Sequence, residues 1–135
     1  MKTSRTIAND LPISTKKSVE VCNFIRGREL EKAKMLLEQV LEYKAAVPFK
    51  KYNMGAGHKK GKVGPGKYPI NVCNEILSVL KLAEANAKNL NLSMKNIYIK
   101  LIMANMASRP WHYGRFKRRK MKRTHIEVIL SEKGK

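Results

Sequence analysis

The stretch "KNIYIKLIMANMA", residues 95–107, decides the fold because its apolar side chains alternate along the chain. Ile97, Ile99 and Leu101 fall on one side of an extended chain, and the side chains between them fall on the other. The later stretch "THIEVILSE", residues 124–132, alternates in the same way. Two alternating segments in succession predict a pair of antiparallel strands.

Earlier in the chain, apolar residues recur at helical spacing in three segments, 11–27, 28–48 and 69–90. Ser14 or Thr15 can cap the first helix. The proline at 48 should end the second helix near Ala46, and Pro69 stands at the first position of the third. The sequence therefore predicts an α+β fold. Three helices would pack on a small antiparallel sheet in a single domain covering residues 1–135.

The chain is strongly basic, with 29 Lys and Arg against 10 Asp and Glu and a formal net charge of +19 in 135 residues. Such a charge opposes compaction unless a polyanion neutralises it. Nucleic acid is the leading candidate, because each neutralised phosphate releases a condensed counterion. An anionic membrane surface ranks second. A basic surface without a partner is disfavoured, since soluble domains usually stay near a net charge of ~2–8.

Cysteine and histidine give no sign of a metal centre. Cys22 and Cys73 each lie on an apolar helical face, and two isolated thiols form neither a disulfide framework nor a zinc site. His58, His112 and His125 show no metal-ligand spacing. No apolar run approaches the ~18 residues of a membrane span, and the start "MKTSRTIANDLP" lacks a signal-peptide core. We expect a soluble, intracellular protein with reduced cysteines and no metal or cofactor.

A Gly/Lys-rich loop occupies residues 50–67, "KKYNMGAGHKKGKVGPGK", with six lysines, five glycines and no acidic residue. It has no periodic apolar face, so we predict a flexible loop that orders against an anion. The candidate contact residues for RNA here are Lys50, Lys51, His58, Lys59, Lys60, Gly61, Lys62, Gly66, Lys67 and Tyr68.

Part of this loop has the G-x-x-x-x-G-K spacing of a nucleotide-binding P-loop, from Gly61 to Gly66 and Lys67. However, Tyr68 stands where magnesium requires Ser or Thr, and "GHKKG" precedes the motif instead of a buried strand. We therefore expect backbone N–H groups, lysine charge and the next helix N-terminus to meet phosphate in a polyanion. A nucleoside triphosphatase is kept only as a rival hypothesis.

A second basic segment, "SRPWHYGRFKRRKMKRTH" at 108–125, carries eight Lys and Arg among aromatic residues. Guanidinium groups bind phosphate in a bidentate manner, and aromatic rings stack on unpaired bases or lie against sugars. In the alternative, Trp111 and Phe116 would fill a core, although their neighbours are too charged to follow them. The candidate contact residues are Arg109, Trp111, His112, Tyr113, Arg115, Phe116, Lys117, Arg118, Arg119, Lys120, Lys122 and Arg123.

This segment joins the two alternating stretches and is too long and too basic for a tight turn. We predict an extended hairpin arm over about 104–125. Strands of about ten residues would give it a reach on the order of 30–35 Å. Catalysis has no candidate centre: the sequence shows no Ser-His-Asp or Cys-His set, and Asp10 is the only aspartate. We expect a binding protein and not an enzyme.

The order of motifs resembles the archaeal and eukaryotic branch of universal large-subunit ribosomal protein twenty-two. The resemblance extends over residues 10–132 and is carried by "DLPISTKKSVEVCNFIRGRELEKAKMLLEQVLEYKAAVPFKKYN", "GPGKYP", "AEANAKNLNL", "KNIYI" and "KRTHIEVILSE". One stretch departs: the family's "MPRAxGRA" run near the hairpin tip corresponds here to "RPWHYGRF", and the segment before it is shorter.

The resemblance implies a structural constituent of the cytoplasmic large ribosomal subunit that binds and organises 23S-type rRNA. It also implies a hairpin directed toward the polypeptide exit tunnel. Neighbouring large-subunit proteins would be partners, with the nascent chain as a further candidate, and neither a membrane nor a small-molecule substrate is implied. The rival from another class is a free-standing nucleic-acid-binding module.

Overall fold

The computed structural model of the protein describes residues 2–132. Its helices are α1 (Thr15–Ile25), α2 (Leu30–Leu41) and α3 (Ile70–Asn89), with a 3₁₀ turn at Met94–Asn96. Its strands are β1 (Thr3–Leu11), β2 (Val47–Pro48), β3 (His58–Lys59), β4 (Gly64–Lys67), β5 (Ile97–Met106) and β6 (Thr124–Glu132). In this described part, no helix is both long and apolar enough to cross a membrane.

The main sheet is antiparallel, with strand order β1-β6-β5. Strands β5 and β6 pair from Ile97 opposite Glu132 to Met106 opposite Thr124, so the predicted strand pair is confirmed. The register shifts between Ile99 and Leu101, so Ile102 is buried in place of Leu101, whose predicted side is wrong. The third strand, β1, pairs with the other side of β6 and was not predicted. One of its buried residues is Ser4. Because this side chain is polar, the pattern of apolar residues in the sequence could not reveal the strand.

The three helices cover one face of this sheet. Helix α3 packs on β1 and β6, α1 packs on β5, and α2 packs on α3. The side chains between these layers are almost wholly apolar and include Ile25, Leu37, Ile76, Leu80, Ile99, Ile126 and Leu130, each of them fully buried. The predicted α+β fold, with three helices on a small antiparallel sheet, is confirmed.

The end of α2 differs from the prediction. The helix ends at Leu41 and does not continue to Ala46. Tyr43 follows with a left-handed backbone (φ 58°), and the N–H of Lys44 donates to the carbonyl of Gln39 at 2.9 Å. This is a Schellman ending, in which a non-glycine residue takes the left-handed position. The turn redirects the chain so that the next residues can pair as β2.

A second small sheet, of order β2-β4-β3, follows α2. Two of its strands lie inside residues 50–67, where the sequence predicted a flexible loop and no strand. Pairing is local: Val47 faces Lys67, and His58 faces Pro65. Backbone hydrogen bonds between these short strands order the stretch. Because the stretch has no periodic apolar residues, the sequence pattern could not predict them.

The projecting arm is shorter than predicted. The ten-residue strand β5 and the nine-residue strand β6 lie in the main sheet against the helices and do not extend from it. Beyond Met106 and Thr124 no named strand continues the pairing among the described residues. The N–H of Ala107 donates to the carbonyl of Arg123 at 3.3 Å, and Trp111 and Lys120 form an isolated bridge. The segment outside the sheet is therefore 107–123, which we call the arm from here on.

Both cysteines are free and buried. Burial raises the pKa of the Cys22 thiol and of the Cys73 thiol to about 12. At neutral pH both thiols are protonated, so neither is a nucleophile or a ready metal ligand.

Helices α2 and α3 are joined by an ion pair whose strength should depend on pH. Lys34 donates to one carboxylate oxygen of Glu84, and Lys88 Nζ lies 2.9 Å from the other. Hydrogen bonds from Lys34 and then Lys88 hold the pKa of Glu84 below its ordinary value of 4.5. The pair therefore stabilises the fold fully above that value, and the contribution disappears as pH falls through the lowered pKa.

A double-mutant cycle of Lys34→Met and Glu84→Gln measures this pair. We expect a coupling free energy of about 0.5–1 kcal/mol at neutral pH, falling to near zero in strong acid. The pair of Lys44 and Glu42 is the control, because its side chains are 70% and 57% exposed and should couple weakly at any pH. A coupling between Lys34 and Glu84 that does not change with pH would contradict this explanation.

Candidate nucleic-acid interface

The Gly/Lys-rich loop at residues 50–67, called the basic loop from here on, is a folded hairpin in which two lysines lie beside aromatic rings. Lys59 Nζ lies 5.6 Å from the ring centre of Tyr68, and Lys67 Nζ lies 5.7 Å from that of Phe49. Between β3 and β4 the chain turns through Gly61 (φ 90°), a left-handed conformation that favours glycine. Each ring lies within cation–π range of a lysine ammonium group and leaves its charge available to an anion.

Gly66 does not suit its predicted role as a backbone donor to phosphate. The residue is buried, and its N–H already donates to the carbonyl of Gly57 at 3.1 Å. A Cβ here would lie 2.9 Å from Lys59 Cγ and 3.3 Å from the carbonyl oxygen of Val47, so glycine is required for packing. The P-loop hypothesis fails on separate grounds, because the motif residues form a turn followed by strand β4 and not a loop between a buried strand and a helix.

A buried carboxylate that the sequence did not reveal anchors the start of the basic loop. Glu20 on α1 is 1% exposed. Its Oε1 accepts the N–H groups of Lys51 and Tyr52, both at 2.8 Å, and its Oε2 accepts that of Lys50 at 3.2 Å. Three backbone donors satisfy one buried charge and fix the position at which the loop leaves the core.

The arm exposes its aromatic side chains. Trp111, Tyr113 and Phe116 are 60%, 80% and 75% exposed, so the alternative in which Trp111 and Phe116 fill a core is wrong. Lys120 Nζ lies 4.9 Å above the ring of Trp111. A cavity of about 590 Å³ at the tip is lined by His112, Tyr113, Gly114, Arg115, Phe116, Arg118 and Arg119. Exposed rings beside guanidinium groups suit unstacked bases and phosphates.

His112 and Arg119 hold the two sides of the arm together. The N–H of His112 donates to the carbonyl of Arg119 at 2.8 Å, and Arg119 Nη2 donates to His112 Nε2 at 2.9 Å. Because Nε2 accepts, Nδ1 carries the proton and donates to the carbonyl of Tyr113 at 2.6 Å. In this structure, both ring nitrogens of His112 are used within the arm.

At the base of the arm, Asp10 ties Arg123 to strand β1. Arg123 Nε donates to Asp10 Oδ1 at 2.7 Å, and this hydrogen bond lowers the pKa of the Asp10 carboxyl. The backbone N–H of Asp10 donates to His125 Nδ1 at 3.1 Å. Among the described residues of the arm, Arg123 is the cation paired with a carboxylate.

The predicted contact residues divide by exposure. Those that are exposed are Lys50, Lys51, His58, Lys60, Gly61, Lys62, Arg109, Trp111, Tyr113, Arg115, Phe116, Lys117, Arg118, Arg119, Lys120 and Lys122. Those that are partly buried are Lys59, Lys67, Tyr68, His112 and Arg123. No group of three His, Cys, Asp or Glu side chains within residues 2–132 is placed to hold a metal ion.

Helix α1 contacts the start of the basic loop and lines a cavity with the arm, which the sequence did not indicate. Its Lys16 Nζ lies 5.8 Å from the ring of Tyr52, at the start of the basic loop. On its other side, Lys16 lines a cavity together with Arg109 and Lys122 of the arm. The candidate interface is therefore the loop, the first turn of α1 and the arm.

Comparison with known proteins supports the resemblance found in the sequence. Residues 6–131 match the family described as ribosomal protein L22p/L17e. The protein named large ribosomal subunit protein uL22 of Methanosphaera stadtmanae is 38% identical, over 97% of this chain and 90% of its own length. The proteins of the same name from Methanocaldococcus jannaschii and Nanoarchaeum equitans are 35% and 38% identical, over 97% and 96% of this chain and 88% and 78% of their own lengths. The chain belongs to the ribosomal protein L22p/L17e family.

Proposed function

We propose that this protein is a structural, non-catalytic component of the large ribosomal subunit that binds and organises large-subunit rRNA. The observation that carries the proposal is the arm, which presents exposed rings and guanidinium groups outside the folded domain. The relatives named as large ribosomal subunit proteins support the assignment to that particle. Neighbouring large-subunit proteins would be further partners in the cytoplasmic ribosome.

The mechanism is charge neutralisation and positioning. The sheet and helices hold the basic loop and the arm in fixed relation to each other, because Glu20 anchors the loop and Asp10 anchors the arm. Lysines of the loop and arginines of the arm would contact phosphates, which position the protein without reading sequence. Exposed rings such as Trp111 would stack on unpaired bases or lie against sugars, so RNA shape would supply the specificity.

The arm is also proposed to point toward the polypeptide exit tunnel, where the nascent chain would pass. This part rests on the family resemblance and on the protrusion of residues 107–123 beyond the sheet. The segment before Gly114, which is shorter than the family's, would restrict how far the arm extends.

Sedimentation tests the assignment to the ribosome. Cell extract is separated on a sucrose gradient at moderate salt, and the protein is followed with an antibody. We expect it to migrate with large subunits and with whole ribosomes. Migration with free protein at the top of the gradient would instead favour a free-standing nucleic-acid-binding module.

Salt dependence tests the RNA-binding mechanism with purified protein and an rRNA transcript. The logarithm of the binding constant should fall steeply with the logarithm of salt concentration, by about 0.7–0.9 per phosphate contacted. A slope near zero would rule out the electrostatic mechanism.

A further inference from the structure

A cavity of about 240 Å³ lies where the base of the arm meets the start of α1. Four cationic side chains line it: Lys16 from α1, Arg109 from the outgoing side of the arm, and Lys122 and Arg123 from the returning side. No acidic side chain is among its lining residues. Positive charges from three separate segments thus converge on one concave site.

Only one of these four cations has a carboxylate partner in the described structure. Arg123 is paired with Asp10. Arg109 Nε makes a long contact of 3.5 Å with the carbonyl of Met121, and Lys16 lies 5.8 Å from the ring of Tyr52. Charges of one sign that line a single cavity repel one another unless an anion lies between them. The cavity is therefore electrostatically prepared for an anion.

The first turn of α1 adds to the same field. Ser14 holds the N-cap position but makes no capping hydrogen bond through its side chain, and the first turn contains no acidic residue. The next hydroxyl, that of Thr15, is bonded to Thr124 Oγ1 at 2.7 Å, and Thr124 in turn donates to the carbonyl of Ile13. The positive end of the helix is thus left without a side-chain cap beside the four cations.

We propose that this cavity is a phosphate-binding site, occupied by a single phosphodiester of the RNA backbone and held by Lys16, Arg109 and Lys122. The proposal rests on the proposed function and adds α1 to the RNA-binding surface. It makes the phosphate a bridge between the folded domain and the arm, because its ligands come from both. RNA binding would then fix the direction in which the arm leaves the domain.

Lys16→Gln tests the site, and Lys17→Gln is a matched control. Lys17 is the next residue on α1 and is exposed, but it does not line the cavity. With the full chain and an rRNA transcript, Lys16→Gln should reduce the log–log salt slope by about 0.7–0.9, the value for one phosphate contact. Lys17→Gln should change it by much less.

If the wild-type slope is steep and the two variants reduce it equally, or neither reduces it, the phosphate site is overturned. The proposed function would then remain intact. A flat wild-type slope would overturn both. The two outcomes are therefore distinguishable with the same three proteins.

An NMR titration separates RNA phosphate from free phosphate. Inorganic phosphate is added to the ¹⁵N-labelled full chain, with chloride at equal ionic strength as the reference. If phosphate selectively shifts the Lys16 amide and Lys16→Gln also lowers the RNA salt slope, the proposal stands. If phosphate shifts that amide while the RNA slope is unchanged, free phosphate is the ligand and the assignment to RNA is overturned.

Discussion

Changing Arg115, Lys117 and Arg118 together to glutamine should weaken rRNA binding by about two orders of magnitude at about 0.1 M salt. All three side chains are exposed on the arm. Each lost phosphate contact removes about 0.7–0.9 from the log–log salt slope, so the slope should fall by about 2 to 3. Binding of a transcript at several salt concentrations measures both quantities.

The matched control for this variant removes the same charge from the helical side of the protein. Lys32, Lys44 and Lys81 are exposed on or beside α2 and α3, where the chain also carries most of its acidic residues. Their replacement by glutamine should lower the slope by less than one unit, because it would change only the overall positive potential of the protein and no direct phosphate contact. If the control weakened binding as much as the arm variant, net charge and not the arm would explain RNA affinity.

Periodicity made much of the fold predictable because it is a local signal. In β6, the alternation of apolar residues predicted that Ile126, Val128 and Leu130 share one side of the strand. All three are fully buried, at 0% exposure. Strand β1 gave no such signal, since its two buried side chains, Ser4 and Thr6, carry hydroxyls. One of these, Thr6, accepts a hydrogen bond from Asn86 at 2.9 Å, a partner 80 residues away. Only the assembled fold shows why that strand is buried.

The candidate interface was predictable in composition but not in geometry. Clusters of lysine and arginine identified the loop and the arm, and the exposed rings of Trp111 and Tyr113 follow from their charged neighbours. Local spacing could not show that the N–H of Gly66 is already bonded. Nor could it show that Lys16 and Arg109 line one cavity, because that arrangement depends on how α1 packs on β5.

Replacing Glu20 by glutamine should lower the free energy of unfolding by about 1–3 kcal/mol. The change keeps the size of the side chain but removes its charge and turns one acceptor into a donor. That NH₂ group would face the N–H of Lys50, or else those of Lys51 and Tyr52. Hydrogen bonds to a charged group contribute about 1.5–3 kcal/mol, and a buried donor without an acceptor adds a further penalty. Urea unfolding followed by circular dichroism measures the loss.

Glu38→Gln is the control, because Glu38 lies exposed on α2 and its replacement should change stability by less than about 0.5 kcal/mol. Hydrogen exchange then locates the effect of Glu20→Gln. If the carboxylate anchors the loop, the amides of Lys51 and Tyr52 should lose protection before those of the main sheet. Loss of stability with both amides still protected would mean that Glu20 stabilises α1 alone. Loss of protection at those amides would show that one buried carboxylate on α1 connects the core to the basic loop, which carries six lysines and no acidic residue of its own.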